Sequence, residues 1–135
     1  MASSDQPVAL PTCTAGAAEL GSRWLEHCLA LPGARRDQPW EDTVVAKVGP
    51  KIFAFLGALD RGDPSASIGL KCGDRETADL WLERHPGSVT PMRYLGRYGW
   101  NSFALDGSID DDDIAERIED SYALVVARLP RSQRP

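Results

Sequence analysis

The sequence lacks a long apolar run, a cysteine framework and a stock of histidines, and each shortage closes off a class of function. No stretch approaches the roughly 20 apolar residues that a bilayer-spanning helix needs, so a membrane role is not expected. Met1 to Pro11 has neither a basic start nor an apolar stretch. That is not a secretory signal, and the cytoplasm is the expected location. The three cysteines, Cys13, Cys28 and Cys72, show no CxxC spacing. An odd, scattered set makes neither a disulfide framework nor a zinc knuckle, so free thiols are expected, with Cys28 and Cys72 buried as small apolar groups.

Catalytic material is equally thin. Of the two histidines, His27 sits beside Cys28 in a helical stretch, where neighbours point about 100° apart and cannot act as a pair. His85 reads as a helix C-terminal cap. There is no GxSxG elbow, Walker loop or HExxH. No catalytic residue and no cofactor is therefore expected, and the chain reads as non-enzymatic.

What remains is ordinary globular material: 135 residues, 42% hydrophobic and 26% charged, enough for one core. Residues 1–13 read as a flexible N-terminal arm, 14–130 as one α+β domain and 131–135 as a flexible C-terminal tail. From Thr14, the spacing of Ala17, Leu20, Trp24, Cys28 and Leu31 predicts a helix, stopped at Pro32-Gly33. Val44 to Val48 and Lys51 to Leu56 predict a hairpin turning at Gly49-Pro50, where glycine takes a positive φ. The second strand is apolar on both faces, which places it centrally in the sheet.

Asp60 to Pro64 predicts a loop, and Ser67 to Cys72 a strand with Ile68, Leu70 and Cys72 inward. Asp74 reads as the N-cap of a helix over 75–84 with Ala78, Trp81 and Leu82 inward. Val89 to Gly99 reads as irregular, Trp100 to Leu105 as a fourth strand. Ile114, Ile118, Tyr122, Val125 and Leu129 predict a last helix from about Asp111, ended by Pro130. Strands joined by short turns imply an antiparallel sheet with helices on one face.

Net charge is −5, which at first sight opposes nucleic-acid binding. However, Asp106 to Asp120 holds eight acids and one base, Arg117, a local −7 that leaves +2 for the rest. The chain is thus polarised. The acidic run Asp110 to Asp113 is not an EF-hand, since a loop beginning at Asp106 has Asp111 and Arg117 where glycine and glutamate are needed. It reads as a solvated helix start favoured by the helix dipole, and no metal ligand is assigned.

Lys47, Lys51 and Lys71 fall on neighbouring strands or their turn, with Lys47 and Lys71 facing away from the core. Arg93, Tyr94, Arg97, Tyr98 and Trp100 mix cations and aromatics within eight positions. Such a mix can neutralise phosphates and stack on bases. Gly96 to Gly99 has the spacing of the GxxG clamp of KH domains, but that clamp needs a helix on each side, whereas Pro91 precedes it and a strand follows.

In order along the chain stand Lys51-Ile52-Phe53-Ala54, Leu70-Lys71-Cys72, Val89-Thr90-Pro91 with Tyr94, Trp100, Ser121-Tyr122-Ala123-Leu124-Val125 and Leu129-Pro130-Arg131. This ordered set resembles the MmcQ/YjbR family of small bacterial proteins, from about Thr14 to Arg134. The resemblance implies a CyaY-like (bacterial frataxin-like) fold: a curved antiparallel sheet with helices on one side. It also implies a double-wing arrangement of hairpins and a DNA-binding role, itself inferred from fold similarity. Carried over by position, the family pattern matches Lys51, Lys71, Tyr94 and Trp100. Lys47, Arg93 and Arg97 join them from charge and neighbourhood. Pro50, Asn101-Ser102 and the Asp110 to Asp113 run depart from the usual pattern.

The expected function is therefore DNA binding through basic residues on sheet hairpins, by a protein expected to be a monomer. The competing readings are a protein-interaction module using the sheet face and a frataxin-like cation binder using Asp110 to Asp113 and Glu116.

Overall fold

The computed structural model describes residues 22–40, 43–57 and 67–135. The expected arm at 1–13, the helix residues 14–21, Cys13 and the 60–64 loop lie outside them. Helical backbone at 22–29 is α1. Then follow β1 (Ala34–Trp40), β2 (Thr43–Val48), β3 (Lys51–Gly57), β4 (Ser67–Lys71), α2 (Arg75–Arg84), β5 (Val89–Pro91), β6 (Trp100–Ala104) and α3 (Asp111–Val126). The strands form one sheet in the order β1-β2-β3-β4-β6-β5, every neighbouring pair antiparallel. The α+β class and the interior place of β3 are as the sequence predicts.

Two strands were not expected. β1, ARRDQPW, carries charge and Pro39 and lacks apolar alternation, and among the described strands it pairs with β2. β5 spans only Val89–Pro91, inside the stretch read as irregular. It forms because Val89 is buried in the core opposite Phe103.

All three helices pack on one sheet face. Trp24 and Cys28 from α1, Ala78 from α2, and Ile114, Ile118 and Val125 from α3 join one cluster with Val48, Leu56, Ile68, Leu70 and Phe103. Burying each of the valine, leucine, isoleucine and phenylalanine side chains among them stabilises by about 1.5–3 kcal/mol. Local signals place the helix ends. The Asp74 carboxylate accepts from Thr77 N–H at 2.8 Å, and His85 caps α2 by giving its backbone N–H to the Trp81 carbonyl.

A bulge in β3 sets how that strand meets α3. Lys47 pairs with Ile52 but Ala46 with Ala54, so Phe53 is the extra residue. It turns into the core, its ring edge-on to Tyr122 of α3 at 5.3 Å. Ser121, polar yet fully buried on α3, donates to the Phe53 carbonyl at 2.6 Å and accepts from Lys71 N–H at 2.9 Å. It thus bridges β3 and β4 beyond the last paired residues of their ladder, Ala54 and Leu70.

The opposite face of the sheet has no described helix on it. By register it carries Val45 and Lys47, Ile52 and Phe55, Gly69 and Lys71, and Trp100 and Ser102. Trp100, half-buried, meets Phe55 edge-on at 5.4 Å. A Cβ on Gly69 would lie 2.5 Å from Met92 Sδ, so glycine there lets the Met92 chain lie against the strand.

Candidate nucleic-acid interface

Antiparallel topology delivers the expected site residues to one end of the sheet. The β2–β3 turn, the end of β4 and the start of β6 all lie there. So does the loop joining β5 to β6, since Pro91 pairs with Asn101. Lys47, Lys51, Lys71 and Trp100 thus share this end with Arg93, Tyr94 and Arg97 of the loop.

Their environments differ. Lys51 stands exposed beside the Gly49-Pro50 turn, where Gly49 has φ +59. Lys47 Nζ pairs with Asp37 Oδ2 at 2.9 Å across to β1, which neutralises much of its field. Lys71 is tied down. Its ammonium donates to the carbonyls of Tyr98 at 2.7 Å and Gly73 at 3.3 Å and lies 6.0 Å from the Trp100 ring. Burial, and then the nearby charge of Arg128, hold it below the usual lysine range. It therefore shapes the loop from beneath, with two of its three donors held by backbone carbonyls.

The β5–β6 loop is held at several points. Met92 N–H bonds to the Trp100 carbonyl at 3.0 Å, and Gly96 N–H to the Met92 carbonyl at 2.8 Å. Residues Gly96–Tyr98 form one 3-10 turn, and Gly99 (φ +89) leads into β6. A Cβ on Gly99 would lie 1.8 Å from the Gly73 carbonyl oxygen, so the two chains touch there only because the residue is glycine. The GxxG spacing thus serves a turn before a strand, with no helix following it.

Arg75, at the start of α2, fixes the loop from the other side. Its guanidinium donates to Gly96 O and to Asn101 Oδ1, both at 2.7 Å, and its Nε donates to Asp79 at 2.9 Å. Asn101 is fully buried, and its amide donates to the Ala78 carbonyl at 2.9 Å. The residue that departed from the family pattern is therefore a fully bonded tie between α2 and β6.

Held this way, the loop presents Tyr94 at 86% exposure and Tyr98 at 53%. Tyr94 sits at φ +67, a left-handed conformation uncommon outside glycine. The Arg93 guanidinium lies 5.9 Å from the Tyr94 ring and that of Arg97 4.9 Å from the Tyr98 ring. Beside Tyr94 opens a shallow depression of about 710 Å³, walled by Pro91, Met92 and Tyr94 with Arg75 and Arg97 at its margin.

Sequence reasoning missed a further group of cations at this end. Leu129 lies beside Gly49, and the chain after it turns through Arg131–Gln133. Arg134 donates to the carbonyls of Leu129 at 2.9 Å and Ala127 at 3.1 Å. The segment after Leu129 thus bonds back to the end of α3, and Arg128, Arg131 and Arg134 lie at the lysine end. Three arginines within the last eight residues were the available signal.

Acidic side chains gather at the opposite end, where α3 begins. Asp111 pairs there with Arg23 at 3.0 Å and Asp113 with Arg84 at 3.8 Å, and His85 Nε2 lies 3.4 Å from the Asp113 carboxylate. Among the described residues no group of three or more His, Cys, Asp or Glu is arranged to hold a metal ion. Burial pushes the Cys28 thiol up to about 12 and the Cys72 thiol to about 11, far from a reactive thiolate. No helix among the described residues is long and apolar enough to cross a membrane.

The fold defines a small single-domain α+β protein, a six-stranded antiparallel sheet with helices on one face. The structure is similar to a crystal structure of a Deinococcus radiodurans protein with a DUF419 domain (TM-score 0.72, 24% identity, 83% of each chain covered). It also resembles a Pseudomonas syringae protein (TM-score 0.63, 20% identity, 76% of this chain and 96% of that one). The YjbR family model matches residues 29–124. The uncharacterized protein YjbR of Escherichia coli K12 is 31% identical over 115 residues, covering 84% of this chain and 92% of that protein. The chain belongs to the YjbR family.

Proposed function

We propose that this protein is a non-enzymatic DNA-binding module that contacts phosphates through the basic end of its sheet. The observation that supports this most is the segregation of charge along the strand direction. Lys51, Arg93, Arg97, Arg128 and Arg131 are exposed at one end, while the acidic start of α3 lies at the other. A net charge of −5 would keep a uniformly charged protein off a polyanion. Separation by most of the length of a 16-residue helix, about 24 Å and so beyond the Debye length of about 8 Å, lets the basic end act alone.

Fluorescence anisotropy of labelled DNA at rising salt tests the reading. With about four phosphates neutralised, affinity falls roughly a hundredfold between about 50 and 200 mM salt. The double variant Lys51→Ala/Arg97→Ala weakens binding and flattens that slope, with unchanged thermal unfolding. Absence of binding at low salt, to single-stranded and duplex DNA alike, removes the proposal.

A further inference from the structure

We infer that the ligand at this end is single-stranded DNA, held by unstacked bases on Tyr94 and Tyr98; the inference rests on the DNA-binding reading above. Three features of the β5–β6 loop carry it. Tyr94 and Tyr98 are, with Leu80, the only large hydrophobic side chains markedly exposed among the described residues. Each has an arginine set against its ring, so a stacking surface and a phosphate donor come as a unit, twice, four residues apart. Tyr94 also keeps a left-handed backbone that its side chain does not favour, and no core contact explains a ring that is 86% exposed.

The depression beside Tyr94 supplies the complementary space. It is open and shallow, a surface against which a base can lie flat rather than a cleft that encloses it. Its walls, Pro91, Met92 and Tyr94, are apolar or aromatic, and Arg97 lies where a backbone phosphate can be reached.

In a duplex the faces of the bases are covered by their neighbours, and only edges and phosphates are offered. Reading edges calls for side chains such as Asn, Gln or a free Arg fork on an element that enters a groove. From Met92 to Gly99 there is no Asn, Gln, Asp or Glu, and the segment is a loop with one 3-10 turn rather than a helix or ribbon that could enter a groove. Aromatic faces with adjacent cations are what a single strand uses, since every base has a π-face.

Beneath the surface, Lys71 acts as a positioning residue. Its bond to the Tyr98 carbonyl sets the turn that presents the second ring.

The test compares a labelled oligothymidine with a mixed-sequence duplex of equal length, at one low salt concentration. The single strand is expected to bind at least tenfold tighter. Tyr94→Ala and Tyr98→Ala each lose about tenfold on the single strand, while Tyr94→Phe and Tyr98→Phe, which keep the ring, retain affinity. Circular dichroism melts of the alanine variants match the parent, since both rings are outside the core. Equal or tighter duplex binding, with tyrosine variants unaffected and Lys51→Ala/Arg97→Ala weakened, overturns the single-strand inference and leaves the DNA reading standing. No binding to either overturns both.

Discussion

The Ser121 hydroxyl donates a 2.6 Å hydrogen bond to the Phe53 carbonyl, joining residues 68 apart in sequence at the bulge of β3. The same oxygen accepts from Lys71 N–H, so one side chain satisfies a carbonyl and an amide that the strand ladder leaves over. Ser121→Ala should cost about 1–3 kcal/mol, because a buried backbone group left without a partner keeps its full desolvation cost. Urea unfolding measures this. A loss below about 0.5 kcal/mol would mean that the ladder closes without the serine.

Gly99 and Gly107 give a matched pair. Their φ angles are +89 and +86, so alanine suffers the same backbone penalty at both, about 1 kcal/mol. A Cβ at Gly107 meets nothing within 4 Å, whereas at Gly99 it strikes the Gly73 carbonyl. Gly107→Ala should shift stability by about 1 kcal/mol, and Gly99→Ala by several or to outright loss of folding. Similar melting temperatures for the two variants would show that the 73–74 segment moves aside freely.

Asn101→Ala should destabilise by about 2–3 kcal/mol, since it strips a partner from both the Arg75 guanidinium and the Ala78 carbonyl. Arg75→Lys should do comparable harm, as one ammonium cannot reproduce a fork that reaches Asp79, Gly96 and Asn101 together. Hydrogen exchange should report faster opening of the Gly96 and Tyr98 amides in both variants. Unchanged exchange would show that backbone bonds alone hold the turn.

Asp74 predicts the sign of a pH effect. Its hydrogen bonds from Thr77 hold the carboxyl below its ordinary value of 3.8. The charged cap therefore contributes in full above that value, and its contribution is lost as pH falls through the lower, folded-state value. Asp74→Asn keeps a capping oxygen but cannot titrate. The stability difference between parent and variant should shrink as the pH is lowered below about 4. A difference independent of pH would mean that the charge adds nothing to the cap.

How much of this was legible in the sequence follows from what kind of signal each element leaves. β2, β3, β4 and β6 were readable because their apolar residues recur or alternate and their turns carry glycine. β1 was not, because Arg35, Arg36 and Pro39 break the apolar pattern that would announce a strand. β5 is too short to have a period. The roles of Ser121 and Asn101 were not readable, because their partners, Phe53 and Ala78, lie 68 and 23 residues away. Of the site, the cation–aromatic cluster from Arg93 to Trp100 was visible as composition. That Lys71 is a strut under it depends on where the Tyr98 carbonyl ends up, which no local pattern encodes.

The segregation of charge has a practical counterpart in chromatography. A protein with a sequence pI of about 4.9 is ordinarily expected to pass a cation exchanger at neutral pH. Adsorption, however, is decided by the patch that meets the resin rather than by the molecular sum. At low ionic strength this molecule should stick to sulfonate beads by its arginine end and to quaternary-amine beads by the start of α3, with opposite faces turned outward on the two columns.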